Sequence, residues 1–208
     1  MEEDEATPKR LPPWVELEYS QMLTLAGPTS TVLFTHLSEG SGDALRATLS
    51  ASLEQKGVAT LEVHTAPILS TLQDKGVPLE SVCLLDPKAE KELSPEDAQT
   101  FGYFLFGGIL GDDPPRDRTS ELRALGFPSR HLGSVQMTTD TALGVTKKVV
   151  HDKVPLDQIP YVDFPTIRFN AKESVEMPFR YIADNGQPIL PPGMRELLHE
   201  DLNKSFEF

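Results

Sequence analysis

One cysteine stands in the whole chain, and no apolar run approaches the ~20 residues of a bilayer-spanning helix. A disulfide framework is therefore excluded. Cys83 lies in the apolar run VCLLD, where it reads as a buried, inert thiol and not as a nucleophile. The first ten residues, MEEDEATPKR, are acidic and lack the basic and apolar regions of a secretion signal. A soluble, untargeted, cytoplasmic protein is expected, with no membrane partner. Basic residues are also scarce, 19 Lys and Arg against 32 Asp and Glu, for a formal net charge of −13. A phosphate backbone would repel such a chain, and no Lys/Arg cluster is present to build a basic face, so direct nucleic-acid binding is not expected. The acidity favours a basic partner or serves solubility alone. The five histidines share no metal-ligand spacing, and no metal site is expected. Internal repeats are absent.

What the 208 residues do contain is an alternation of strand-like and helix-like segments, in a chain long enough to bury a core unaided. Residues 1–10 read as an acidic tail. RLPPWVELEYSQMLTLAG then predicts a helix opened by prolines and stopped at Gly27. TVLFTH predicts a strand, and GDALRATLSASLEQKG a helix with Asp43 as N-cap. SVCLLD and YFLFGG are buried-strand candidates, with a short helix between them capped by Ser94 and opened by Pro95. Helices are expected over residues 117–125 and 138–153. The pattern is α/β, a parallel sheet with helices on both faces. From Val154 the prolines recur every few residues and Asn185-Gly186 signals a hairpin, which predicts a small β-rich domain over 154–208 closed by a helix near 194–202. The first domain would then run over 11–153.

The segment FLFGGILGDDPPRDR resembles a nucleotide loop only at first sight. Gly107 and Gly108 are adjacent, Ile109 takes the place of the second fingerprint glycine, and Asp112 with Asp113 would repel phosphate. A ligand for this loop should lack phosphates and tolerate or carry positive charge, as S-adenosylmethionine does; a tight strand-to-turn junction with solvated aspartates is the plainer alternative. A second glycine turn, at Gly133 in SRHLGSVQMTTDTALG, precedes a helix that Thr138 or Thr139 can cap. Two such turns could clasp one ligand.

These two stretches, with CLLDPKAEKELSPEDAQTFGY ahead of them and EMPFRYIADNGQPILPPGM behind, resemble the SPOUT-type protein arginine methyltransferases, fungal enzymes that modify a small-subunit ribosomal protein. The likeness runs from about Trp14 to Met194. It implies a Rossmann-like parallel sheet with a C-terminal deep trefoil knot, one of the rare exceptions to unknotted topology, and a small C-terminal β-rich domain. It also implies that bent S-adenosylmethionine sits in the knot loops, here Leu84, Leu85, Asp86 and Pro87; Gly107, Gly108, Ile109, Leu110 and Gly111; and Leu132, Gly133, Gln136, Met137, Thr138 and Thr139. In the family pattern a β-strand and a short turn precede the acidic stretch, so the first sheet strand is expected to be missing here, with an edge left exposed.

Methylating arginine requires a carboxylate that localises the guanidinium charge and accepts a proton, so acidic side chains near the loops are the catalytic candidates. Asp112 and Asp113 are preferred, ahead of Asp117, Asp140, Glu18 and Glu176. Arg116 and Arg118 either bind the cofactor's carboxylate or pair with Asp117 or Glu121. The resulting expectation is an S-adenosylmethionine-dependent protein-arginine methyltransferase acting on a basic small-subunit ribosomal protein, as a monomer. A SPOUT RNA methyltransferase and a non-catalytic acidic escort for a ribosomal protein are its rivals.

Overall fold

The computed structural model describes residues 11–107, 117 and 119–204. The acidic tail, Gly108 to Arg116, and Arg118 lie outside the described residues. Helix α1 (Pro13–Ala26) begins where its prolines cost nothing, since first-turn N–H groups have no helical partner, and it stops at Gly27, whose φ of 78° suits glycine. Strand β1 (Thr31–Phe34), helix α2 (Glu39–Leu53) and strand β2 (Thr60–Val63) form a parallel β-α-β unit, with Thr31 opposite Thr60 and Phe34 opposite Val63. Helix α2 starts a full turn before the predicted cap at Asp43. Ser38 is the N-cap, its hydroxyl accepting the Ser41 N–H at 3.2 Å, while Asp43 pairs with Arg46. Two glycines hid this start. Gly42 is needed for contact, because a Cβ there would stand 3.2 Å from the Val63 side chain.

Helix α3 (Ile68–Asp74) leads to β3 (Val82–Leu85), all four of whose residues are buried, and then to β4 (Tyr103–Leu105), α4 (Thr119–Ala124), β5 (Ser129–Arg130) and α5 (Thr139–Val150). Neither β2 nor α3 is legible in the sequence as read above. Strands β4, β3 and β5 form a parallel sheet in that spatial order, β3 in the middle. The sheet is not continuous with β1 and β2. Among the described strands, β1 and β4 each have a partner on one side only. A cavity of about 1,440 Å³ lies between them, with Leu33 and Phe34 on one wall and Phe104 and Leu105 on the other, and it reaches Leu11 and Pro13 at the start of α1. It exceeds the ~300–1,000 Å³ of ordinary small-molecule pockets.

The cavity gives a direct prediction. A six-residue Val/Ile segment fused ahead of residue 1 should pair with the edges of β1 and β4 that no described strand covers. Burying even 80 Å² of apolar wall is worth about 2 kcal/mol at ~25 cal/mol per Å², or roughly 4–8 °C in Tm for a chain of this size. Thermal unfolding with and without the fusion checks this; an unchanged Tm means the slot does not accept a strand.

The C-terminal region is antiparallel. Strands β6 (Tyr161–Asp163), β7 (Thr166–Arg168), β8 (Ser174–Glu176), β9 (Arg180–Asp184) and β10 (Gln187–Pro188) precede α6 (Met194–Lys204), with β10, β9 and β6 in one sheet and β7 and β8 in another. Asn185 and Gly186 both have positive φ, 48° and 77°, and close the β9–β10 hairpin with a two-residue turn whose twist matches the strands. Ile159 and Ile182 from this region pack into the same apolar cluster as Val145 and Val149 of α5 and Cys83 of β3.

Candidate functional site

Because β4, β3 and β5 run parallel, the segments that leave them open at one edge of the sheet, the carboxyl edge where open α/β sheets take ligands. Those segments are Asp86 and Pro87 after β3, Phe106 and Gly107 after β4, and residues 131–138 after β5, followed by the N-terminus of α5. The described parts of all three predicted loops therefore share one edge. Gly108, Ile109, Leu110, Gly111, Arg116 and the preferred carboxylates Asp112 and Asp113 lie outside the described residues. Leu84 and Leu85 are buried in β3 itself, Pro87 and Gln136 are exposed, and Gly107, Leu132, Gly133, Met137 and Thr139 are half-buried.

Asp86 holds the first loop in shape. Its side chain is 1% exposed, and its two oxygens accept from Arg123 Nε at 2.5 Å and Nη2 at 2.8 Å, a bidentate pair between β3 and α4. One of those oxygens also accepts the Lys88 N–H, and the Asp86 N–H donates to the Arg130 carbonyl. The Arg123 guanidinium holds the Asp86 carboxyl below the ordinary carboxylate range. Asp117 joins the same network through Lys88 at 2.6 Å and Arg123 at 3.3 Å, and those bonds bring it down to about 2. Asp86 thus offers a ligand its backbone only, and Asp117 is held as an ion-pair partner.

A second bidentate pair sets the neighbouring turn. Arg130 Nε and Nη2 donate to Asp97 at 3.0 and 2.8 Å, and the guanidinium lies 5.1 Å from the Phe101 ring centre. Asp97 also accepts the Ser94 N–H, which completes the capping box of the short 3-10 helix Pro95–Gln99. The sequence signal at Ser94 and Pro95 was the cap; the partner 33 residues away had no local signature.

The third loop is fastened on both sides. The His131 N–H donates to Lys91 and its carbonyl accepts from Leu93, while the Gly133 N–H reaches His131 Nδ1 at 3.1 Å. Gly133 has φ 98°, a conformation closed to most side chains. The Gln136 carbonyl accepts the Arg180 N–H at 2.8 Å, and Met137 bridges Arg180 of β9. Thr138 is the N-cap of α5; its hydroxyl donates to Thr141 at 2.8 Å and gives no side-chain cap. Arg180, missed in the sequence, donates to Asp163 at 2.6 and 2.8 Å and stacks 4.6 Å from the Tyr161 ring centre, beneath this loop. Of the further carboxylates, Asp140 and Glu18 are buried and Glu176 is exposed.

Phe106, Leu132 and Met137 turn this edge partly apolar by packing against the core, and the N-terminus of the twelve-residue α5 presents the end of a helix dipole that favours a carboxylate. Cys83 is fully buried beneath it, and burial pushes its thiol up to about 12, in keeping with an inert packing residue. Among the described residues, no group of His, Cys, Asp and Glu is placed to hold a metal ion, and no helix is long and apolar enough to cross a membrane.

Residues 1–205 match the family described as protein arginine N-methyltransferase SFM1-like. Protein arginine N-methyltransferase SFM1 of Saccharomyces cerevisiae is 42% identical to the chain over 209 positions, covering 93% of this chain and 92% of the relative. The crystal structure of the yeast arginine methyltransferase SFM1 complexed with SAM superposes with a TM-score of 0.80 at 40% identity, covering 94% of this chain and 88% of that one. The same enzyme complexed with SAH gives 0.78 at 40% identity, covering 92% and 91%. Identity above 40% over nearly the whole length, on the same fold, leaves one conclusion: the chain belongs to the SFM1-like protein arginine N-methyltransferase family.

Proposed function

We propose that this chain is an S-adenosylmethionine-dependent protein-arginine N-methyltransferase whose substrate is a basic small-subunit ribosomal protein. One observation carries the reading: the chain is 42% identical, across almost its full length, to a relative named as a protein arginine N-methyltransferase. Solved complexes of that relative with SAM and SAH support the cofactor. The cofactor supplies an electrophilic methyl group. Its holders would be the loops at the carboxyl edge, through the backbone of Leu84 to Pro87, the segment Gly107 to Gly111, and Leu132 to Thr139, with Arg116 at its carboxylate. Asp112 and Asp113 remain the proposed catalytic carboxylates, as acceptors of the proton that the substrate nitrogen loses. The net charge of −13 suits a basic protein substrate and disfavours a phosphate backbone. The same reading includes a trefoil knot through these loops, a C-terminal β-rich domain from residue 154, a monomer and a cytoplasmic setting.

The test is labelled methyl transfer from S-adenosylmethionine into a ribosome-containing lysate that lacks its own version of the enzyme. Label should appear in a basic protein and hydrolyse to methylarginine. Label in RNA would overturn the substrate class, and no label in either fraction would overturn the activity.

A further inference from the structure

Three acidic groups on three different elements converge where no cation answers them. Glu18 of α1 is 5% exposed, Asp140 in the first turn of α5 is 2% exposed, and Tyr181 of β9 is 1% exposed. Each keeps a fully buried side-chain oxygen without a hydrogen-bond partner among the described residues: Glu18 Oε2, Asp140 Oδ1 and Tyr181 Oη. The three feel one another directly, since the Asp140 charge acts on Glu18 and both carboxylates act on Tyr181. No Lys or Arg ion pair with either carboxylate is found among the described residues; Lys147 of α5 donates to the Leu25 carbonyl at 2.8 Å, and Arg180 of β9 pairs with Asp163. Buried polar oxygens left unpaired cost about 1–3 kcal/mol each, so three in one place call for an explanation.

The position of the cluster supplies one. Asp140 follows Thr139, the last residue of the proposed cofactor loop, and Tyr181 follows Arg180, whose backbone is tied to Gln136 and Met137 of that loop. Two of the three residues that carry the unpaired oxygens thus adjoin the loop. Two carboxyl groups and a phenol, each with a buried oxygen free to accept, match a planar cation with several N–H donors at the end of a long, thin side chain.

We propose that Glu18, Asp140 and Tyr181 form the pocket that receives the guanidinium of the substrate arginine, an assignment that rests on the arginine-methyltransferase reading above. Contacts from the unpaired oxygen of each carboxylate hold the guanidinium plane between them, draw its positive charge to the bound nitrogens and leave the remaining nitrogen facing the cofactor. Burial first and the Asp140 charge second push Glu18 up to about 8, and burial raises Asp140 as well. Glu18 is therefore protonated at pH 7 and must release that proton as the cation enters. Substrate capture strengthens as pH rises from about 6 to about 8 and then levels. Beside burial, the group that sets this profile is Asp140 from α5; Tyr181 from β9 faces both carboxylates and is itself raised by burial and by their charges.

The experiment compares wild type with Glu18→Gln, Asp140→Asn and Tyr181→Phe. Methylarginine formation is measured in the same lysate, and S-adenosylhomocysteine affinity by calorimetry. The expected result is a loss of at least about 100-fold in kcat/KM for Glu18→Gln and Asp140→Asn, the scale for truncating one partner of a buried charge pair, and about tenfold for Tyr181→Phe. Affinity for S-adenosylhomocysteine stays within about twofold, and the rise in kcat/KM between pH 6 and 8 disappears in Glu18→Gln. Carboxamide variants that keep their rates overturn the assignment, as does a loss of S-adenosylhomocysteine affinity in step with rate. A wild type that yields no methylarginine overturns the function itself, a result distinct from active wild type with unimpaired variants. Should Asp140→Asn fail to fold, Glu18→Gln alone decides, because it replaces a carboxyl that is already neutral at pH 7.

Discussion

Asp86→Asn should lower Tm by roughly 5–10 °C and loosen cofactor binding in the same protein. The Asp86 carboxylate is buried and holds two charge-assisted hydrogen bonds from Arg123 along with the Lys88 N–H. An amide keeps the size but brings N–H donors against a guanidinium that has only donors, so the bidentate pair is lost; hydrogen bonds to charged groups are worth about 1.5–3 kcal/mol, which sets the scale. The first cofactor loop and α4 lose their link at that point. The effect carries a pH signature. Arg123 depresses Asp86 in the folded state, so its contribution is fully present above the unfolded aspartate's ordinary value near 3.8 and is lost as pH falls through the lower folded value. Wild type should therefore lose stability more steeply than Asp86→Asn below pH 4. Thermal melts of both proteins from pH 2.5 to 7, with calorimetry against S-adenosylhomocysteine at pH 7, check the two parts. Equal melting at pH 7 would show that the pair does not hold the loop.

The elements that the sequence announced were those with local chemistry. Prolines at the start of α1, Gly27 at its end, the cap at Ser94 and the Asn185-Gly186 turn each act through their own neighbours, and each stands where expected. What escaped depends on partners distant in the chain. Strand β2 has four residues, none of them fully buried, and is a strand because β1 lies beside it. The start of α2 escaped for a related reason: its glycines lower helix propensity, yet Gly42 is selected by contact with Val63. In the site, the glycine turns and apolar strand ends marked the loops, whereas the pairs Asp86–Arg123 and Asp97–Arg130 join residues 37 and 33 positions apart. Glu18 and Asp140 were visible as carboxylates, but Tyr181 was not singled out, since nothing in FRYIAD distinguishes a buried unpaired phenol from a packed one. Continuity of the sheet failed at the gap between β1 and β4, where pairing requires a strand that no described residue supplies.

Glu18→Gln should make the protein more stable at pH 8 while destroying its turnover, and the pairing of those outcomes separates a binding pocket from a structural cluster. In the folded state Glu18 is held at about 8, against 4.5 when exposed in the unfolded chain. The folded protein therefore keeps a proton that the unfolded chain releases. Stability falls as pH rises from about 4.5 to about 8, and the full penalty is present above 8. Each unit of displacement is worth roughly 1.4 kcal/mol, so the gap amounts to several kcal/mol, of which glutamine should recover about 2–4 after its own imperfect fit. That gain is roughly 5–15 °C in Tm at pH 8, is small near pH 4.5, where the unfolded glutamate is half protonated, and vanishes about one pH unit lower, where the carboxyl is neutral in both states. A structural carboxylate held by good partners would show the opposite sign, losing stability on amidation. Destabilisation is what binding sites commonly carry, because groups arranged for an absent ligand remain unsatisfied until it arrives. Paired melting curves from pH 4.5 to 9 read the sign directly: a Glu18→Gln protein less stable than wild type at pH 8 would place the missing partner of Glu18 inside the protein, and the guanidinium would have to be received elsewhere.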